Sequence, residues 1–350
     1  MSGGLADKIA SGGRITAAQA LKLFKSDDIF TLGELASITA KKKNGNKVFY
    51  IRNIHINPTN ICVNRCRFCA FSRSRGEAGA YELTIGQIIS KLKKVRLFDE
   101  VHIVGGLHPD WPFEHYLEML AAIKKAFPRT GIKAFTAVEV DYMRKKSGFP
   151  LDKILQMLKD SGLDVMPGGG AEIFDPAVRG ALCPEKMGGG DWLKVMRAAH
   201  NAGIKTNATM LYGHIENYGH RVAHLEKLRR LQDETGGFQA FIPLPHQPGN
   251  EIGGRPSSGL EDLKCIAVSR IFLDNFDHVK AYWVMLGEKL SQVALRFGAD
   301  DLEGTVIEEK IAHSAGARTR PGLAEEEIRL MIEKAGKRPV RRDFKYRRLR

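Results

Sequence analysis

No run of apolar residues in this 350-residue chain approaches the ~20 needed to cross a bilayer as a helix. The opening stretch, Met1-Ser2-Gly3-Gly4-Leu5-Ala6-Asp7-Lys8, lacks the apolar core of a secretory signal, so a cytoplasmic location is expected. Cysteine is scarce and odd in number, five in all, which does not suit the paired framework of a disulfide-built secreted domain. No low-complexity linker separates independent domains, and no second C-x-x-C accompanies the first. Cys183 and Cys265 stand alone and read as ordinary buried thiols.

What the chain has is a tight group of three cysteines. Cys62, Cys66 and Cys69 fall within eight residues, spaced C-x-x-x-C-x-x-C. Three thiolates can hold three irons of a cubane cluster and leave the fourth iron free to bind a small molecule. A structural zinc site is the bland alternative, but zinc takes four ligands, usually as two pairs. The cysteine pattern therefore points to an iron–sulfur enzyme.

Hydrophobic residues make up 43% and charged residues 27%, as in a globular protein. The formal charge of +14 raises the possibility of a nucleic-acid partner. Eight of the last fourteen residues, Lys337 to Arg350, are Lys or Arg, and a solvated basic tail accounts for much of the excess. Nucleic acid is therefore not an expected partner.

Strand-like runs are read at Val48–Ile56, Val101–Val104, Lys133–Val138, Leu163–Met166, Lys205–Tyr212, Gln239–Leu244 and His278–Tyr282. Most are separated by roughly 30 to 40 residues, the length of a β/α unit with its loops. Helical spacing appears at Ile85, Ile88, Ile89, Leu92 and Val95, with Thr84 and Gln87 as a capping box. It appears again at Trp192–Ala199, with Asp191 as N-cap, and at Leu225, Leu228 and Leu231. Alternation of this kind gives the α/β class, and seven or eight parallel strands favour a TIM-type (β/α) barrel over an open sheet.

Three segments are expected. They are an N-terminal helical segment, 1–47, packed on the barrel's N-terminal end, the barrel itself, 48–298, and a C-terminal cap and basic tail, 299–350. The cysteines directly follow the first strand, where a barrel of this type carries its active site. Strand alternation places Asn53, His55 and Asn57 on one face, pointing into the barrel. Asn57 and Asn60 have a second reading, as residues that bond local backbone in the turn.

The C-x-x-x-C-x-x-C motif, with Phe68 before its last cysteine, resembles the radical S-adenosylmethionine superfamily. The resemblance narrows to the aminofutalosine synthases of the menaquinone route. It is carried by His55–Cys62, Cys69–Arg73, Pro167–Phe174, Asn207–His214, Gln232–Leu244 and Gly298–Val306. The resemblance implies that Cys62, Cys66 and Cys69 ligate a 4Fe–4S cluster. S-adenosylmethionine would chelate the fourth iron and be consumed as co-substrate. Phe68 would lie near the adenine, and Gly105 and Gly106, followed by Leu107 where the superfamily carries an acidic residue, would offer backbone to the methionine amino group, with a simple tight turn as their alternative. Glu172 would accept the ribose hydroxyls, with a structural ion pair as its alternative, and Tyr212 would face the cofactor.

The implied reaction adds the 5′-deoxyadenosyl radical to 3-[(1-carboxyvinyl)oxy]benzoate. Rearrangement and loss of bicarbonate give 6-amino-6-deoxyfutalosine. A one-electron donor such as flavodoxin or ferredoxin is implied. Candidate partners for the substrate carboxylates are His55, Asn57, Arg73, Arg75, His246 and His313. Where the family carries Phe-His-Pro, this chain has Pro245-His246-Gln247-Pro248, which shifts the histidine by one position and is expected to turn it elsewhere. Three alternatives remain: the sister cyclase acting on dehypoxanthine futalosine, a radical tRNA-modifying enzyme, and a zinc-stabilised binding module.

Overall fold

The computed structural model describes residues 3–253 and 255–349. Its centre is a seven-stranded, wholly parallel sheet in sequence order. A second sheet of three strands underlies it. In chain order the strands are β1 (Lys47–Ile51), β2 (Asn53–Ile56), β3 (Glu100–Ile103), β4 (Gly131–Ala134) and β5 (Val165–Met166). They continue as β6 (Lys205–Tyr212), β7 (Phe238–Pro245), β8 (His278–Val279), β9 (Asp301–Gly304) and β10 (Arg338–Arg341). Strands β2 to β8 form the large sheet, and β1 lies between β10 and β9, parallel to both.

The large sheet curls, and the segment 300–307 fills the opening between its edges. The Ala281 N–H donates to the Asp301 carbonyl at 2.8 Å on the β8 side. The His55 N–H donates to the Ile307 carbonyl at 2.8 Å on the β2 side. Gly304 makes this possible, because a Cβ there would overlap the Ile51 carbonyl. A TIM-type wall of seven strands is thus completed by the chain after residue 298.

The expected single strand Val48–Ile56 is two strands in different sheets. The break falls at Arg52, whose carbonyl accepts from Asp99 and Glu100 and whose guanidinium pairs with Asp99 at 2.8 Å. The expected strand Lys133–Val138 ends at Ala134. Phe135 turns the chain at φ 60°, and Thr136 and Glu139 form a capping box that starts the helix Ala137–Ser147. Local capping outweighed the β-branched Val138 and Val140. Thr84 and Gln87 do cap the helix Ile85–Lys94. Asp191 is not an N-cap: the helix Gly189–Asn201 starts from Gly188, and Asp191 sits in its first turn beside Lys194.

The N-terminal helices pack against the outer helical layer, and Asn44 at their end donates to the Asp277 carbonyl just before β8. Helix Ile29–Asn44 packs along helix Gly259–Phe272, and helix Ala17–Phe24 packs against helix Tyr218–Thr235. The basic C-terminal segment is not a solvated tail. Residues 338–341 pair with β1, Arg342 is 1% exposed, and the Tyr346 ring stacks on His278 with centroids 3.9 Å apart. Only Arg338, Lys345, Arg347 and Arg348 among its described basic residues face solvent. Among the described residues no helix is long and apolar enough to cross a membrane.

Candidate active site

One cavity of about 320 Å³ occupies the barrel interior and opens beneath the loop that follows β2. Cys62, Cys66, Phe68 and Cys69 on that loop line it. The loop is held by backbone bonds at both ends. Cys62 N–H donates to Arg73 O at 3.0 Å, Val63 N–H to Leu107 O at 3.1 Å, and Arg67 N–H to Leu182 O at 2.9 Å. Asn60 does turn work: it donates to Gly79 O at 2.9 Å and accepts from Tyr81 N–H at 2.8 Å.

The donor chemistry fits an iron–sulfur cluster. Three soft thiols share one loop and one cavity, and the adjacent wall is glycine. Among the described residues no three Cys, His, Asp or Glu side chains are grouped as a single-ion site. Gly105 and Gly106 are required by that loop. A Cβ on Gly105 would come within 3.1 Å of Thr59 O, and one on Gly106 would overlap the Ile61 carbonyl. Gly106 N–H donates to Thr59 O at 2.9 Å, and Gly105 N–H donates to Glu139 at 3.1 Å. Both N–H groups are therefore occupied within the protein. Gly106→Ala is expected to displace the loop, destabilise the fold by ~1–3 kcal/mol and lower iron content; wild-type iron with an unchanged melting temperature would contradict this.

Glu172 borders the cavity and forms an ion pair with Lys186 at 2.7 Å. Burial alone would raise the Glu172 pKa, but Lys186 and Arg179 outweigh it and hold the carboxyl below its usual value. Lys186 also lies 4.9 Å over the Phe68 ring. Glu139, hidden from sequence reading by the misassigned strand, lines the cavity and accepts from Thr136 N–H and Gly105 N–H. Burial pushes its pKa up to about 7. The T-x-x-E spacing of a capping box was the signal that could have found it. Cys183, read as an isolated thiol, comes within hydrogen-bond reach of Cys66; that contact, with Lys186 nearby, lowers the Cys66 pKa.

Tyr212 is not on the cavity. Along β6, Asn207, Thr209 and Leu211 face inward, so Tyr212 points outward and donates to Asp262 at 2.7 Å. His214 and Glu216 follow it into a buried network with Arg221, also away from the cavity lining. Arg73 turns back on its own loop, donating to Ala70 O at 2.9 Å and Ser72 O at 2.8 Å. Arg75 pairs with Asp110 at 2.6 Å and His313 with Glu309 at 2.9 Å, and neither side chain lines the cavity. His55 and Asn57 do line it. So does His246: Ile242, Leu244 and His246 continue one face of β7, and the one-residue shift did not remove the histidine.

A parallel barrel with three thiols on the loop after its first strand defines an enzyme of the radical S-adenosylmethionine class. The Radical SAM superfamily model matches residues 56–228, and the CofH/MqnC C-terminal region matches residues 235–350. The chain belongs to the radical SAM superfamily and, within it, to the family that includes the aminodeoxyfutalosine synthases. It is 44% identical to aminodeoxyfutalosine synthase of Thermus thermophilus, over 99% of this chain and 95% of that one. With the enzyme of the same name from Streptomyces coelicolor it shares 43%, over 99% and 93%. It is also 41% identical, over 95% and 96%, to 5-amino-6-(D-ribitylamino)uracil–L-tyrosine 4-hydroxyphenyl transferase of Methanocaldococcus jannaschii. The crystal structure of methylornithine synthase shares the fold, with a TM-score of 0.78 at 19% identity, covering 96% of this chain and 97% of that one. Enzymes of this class use a 4Fe–4S cluster and S-adenosylmethionine.

Proposed function

We propose that this enzyme is an aminodeoxyfutalosine synthase, joining the adenosyl group of S-adenosylmethionine to 3-[(1-carboxyvinyl)oxy]benzoate. The observation that carries this reading is identity of 43–44% with two such synthases along 99% of the chain, cluster loop and C-terminal region together. When bound, the cluster supplies the electron that splits the sulfonium into methionine and a 5′-deoxyadenosyl radical.

The chain's own residues do the rest. Cys62, Cys66 and Cys69 hold the cluster. Phe68, Gly105, Gly106 and Glu172 border the space for S-adenosylmethionine, with Lys186 fixing the Glu172 carboxylate. His55, Asn57 and His246 border the space for the aromatic acid. Burial of the wall excludes water, which a primary radical chemistry requires. The reducing electron would come from a small one-electron donor such as flavodoxin or ferredoxin. Of the segments 1–47, 48–298 and 299–350, the first braces the outer layer through helices Ala17–Phe24 and Ile29–Asn44, the second carries the barrel strands β2 to β8, and the third completes the wall and floor through β9, β10 and the chain around them.

Anaerobic incubation with S-adenosylmethionine, dithionite and the enolpyruvyl benzoate tests the reading by product mass. The expected product contains adenosine joined to the benzoate after loss of one carboxyl group. Release of free 5′-deoxyadenosine without such a product would overturn it. Coupling of tyrosine to 5-amino-6-(D-ribitylamino)uracil instead would place the enzyme with the methanogen transferases.

A further inference from the structure

The deep end of the cavity carries buried polar atoms that no protein group satisfies. His55 on β2, His102 on β3 and Lys133 on β4 stand opposite one another in register, so their side chains form one inward layer. The rings of His55 and His102 meet edge on, with centroids 4.4 Å apart. Nε2 of His55 and both ring nitrogens of His102 are buried without a partner. A neutral imidazole always carries one N–H, so whichever tautomer His102 adopts, it buries an unmatched donor. Unmatched buried polar groups are rare in folded proteins and are costly. A ligand that brings an acceptor oxygen to this layer removes that penalty.

Lys133 is not the missing partner for an anion. It pairs with Glu100 at 2.7 Å and Glu303 at 3.2 Å. Below it Lys280 pairs with Glu303, and Arg342 with Asp301 at 2.7 Å. Three cations thus face three carboxylates, and among the described residues of this layer the imidazoles of His55 and His102 are left with unmatched ring nitrogens. Two residues after His55, Asn57 donates its amide N–H to Val104 O at 2.7 Å and buries an unmatched Oδ1. That oxygen is an acceptor and repels an anion. The place for an anionic group is therefore the imidazole layer, at the end of the cavity away from the cysteines.

The polarity of the substrate follows. Its vinyl group must lie beside S-adenosylmethionine, at the cysteine end, and its ring carboxylate points the other way. We propose that His102, with His55, binds the ring carboxylate of the aromatic substrate and thereby fixes which end meets the cluster. This rests on the function proposed above. Buried hydrogen bonds to a charged group are strong enough to set orientation as well as affinity.

The test is calorimetry on the reconstituted enzyme under anaerobic conditions, with two unreactive probes. One is 3-(carboxymethoxy)benzoate, which keeps both carboxylates and the ether. The other is phenoxyacetate, which lacks the ring carboxylate. The wild-type enzyme is expected to prefer the first by about ten- to a hundredfold. In His102→Phe the preference is expected to collapse, while iron content and affinity for S-adenosylmethionine stay unchanged. His102→Gln, which restores an N–H donor, is expected to recover part of it. A preference that survives in His102→Phe, or that is absent from the wild type, overturns the assignment. If the wild type also forms no product from the enolpyruvyl benzoate and binds neither probe, the functional reading falls and takes the subsite with it. Product formation with an unmoved preference sinks the subsite alone.

Discussion

Cys66→Ala is expected to abolish S-adenosylmethionine cleavage and to remove most of the cluster iron, while the barrel stays folded. The same result is expected for Cys62→Ala and Cys69→Ala, because a cubane held by three thiolates has none to spare. Folding should survive because the cysteines sit on a loop pinned by backbone bonds to Arg73, Leu107 and Leu182, not in the packed wall. Cys183→Ala is the informative control. Cys183 touches Cys66 and lies beside Lys186, yet it belongs to a different loop and lies outside the cavity lining. It should keep full iron and full turnover. Iron and acid-labile sulfide per chain, measured with the circular dichroism melt, decide both points. Wild-type iron in any of the three loop variants would remove the cluster assignment; lost iron in Cys183→Ala would show that its contact with Cys66 is needed to hold the cluster.

The elements that could be read from the sequence were those whose local signals agree with one another. Strand β6 was read to the residue, Lys205–Tyr212, because β-branched and apolar residues there meet clear helix ends on both sides. The cluster loop was legible because three thiols at that spacing have few other uses. Tyr212 misled because a residue beside a motif need not share its face: one step along a strand reverses the side chain. Arg73 misled because proximity in sequence to the cluster says nothing of where a guanidinium finds carbonyls. The largest gap was the region after residue 298. Its charged residues looked like surface, and only the fold shows that they neutralise each other inside. Long-range pairs such as Lys133 with Glu303 leave no mark in local periodicity. His102 was invisible for the same reason, since its meaning comes from the register of β2 against β3.

That buried network gives the second large effect. Arg342 is 1% exposed and Asp301 is 0% exposed, and their pair at 2.7 Å ties the C-terminal segment to the barrel floor. Tyr346 packs over the guanidinium at 4.2 Å. Arg342→Ala leaves Asp301 buried with Lys280 at 4.0 Å as its remaining cation. Removing one partner of a buried ion pair costs about 3–5 kcal/mol. A loss of that size should appear as a clear drop in the urea midpoint. The double variant Arg342→Met with Asp301→Asn separates charge from packing. It removes both charges and keeps similar volume, so it should be markedly less destabilised than Arg342→Ala. Lys133 and Glu303 belong to the same network and also border the cavity. Loosening of the floor should therefore reach the substrate end first. KM for the aromatic acid is expected to rise in Arg342→Ala at temperatures where the protein remains folded, with cluster iron unchanged. Equal stability of Arg342→Ala and wild type would show that the C-terminal segment is held by β10 pairing alone, and that the charges beneath the cavity contribute nothing to its shape.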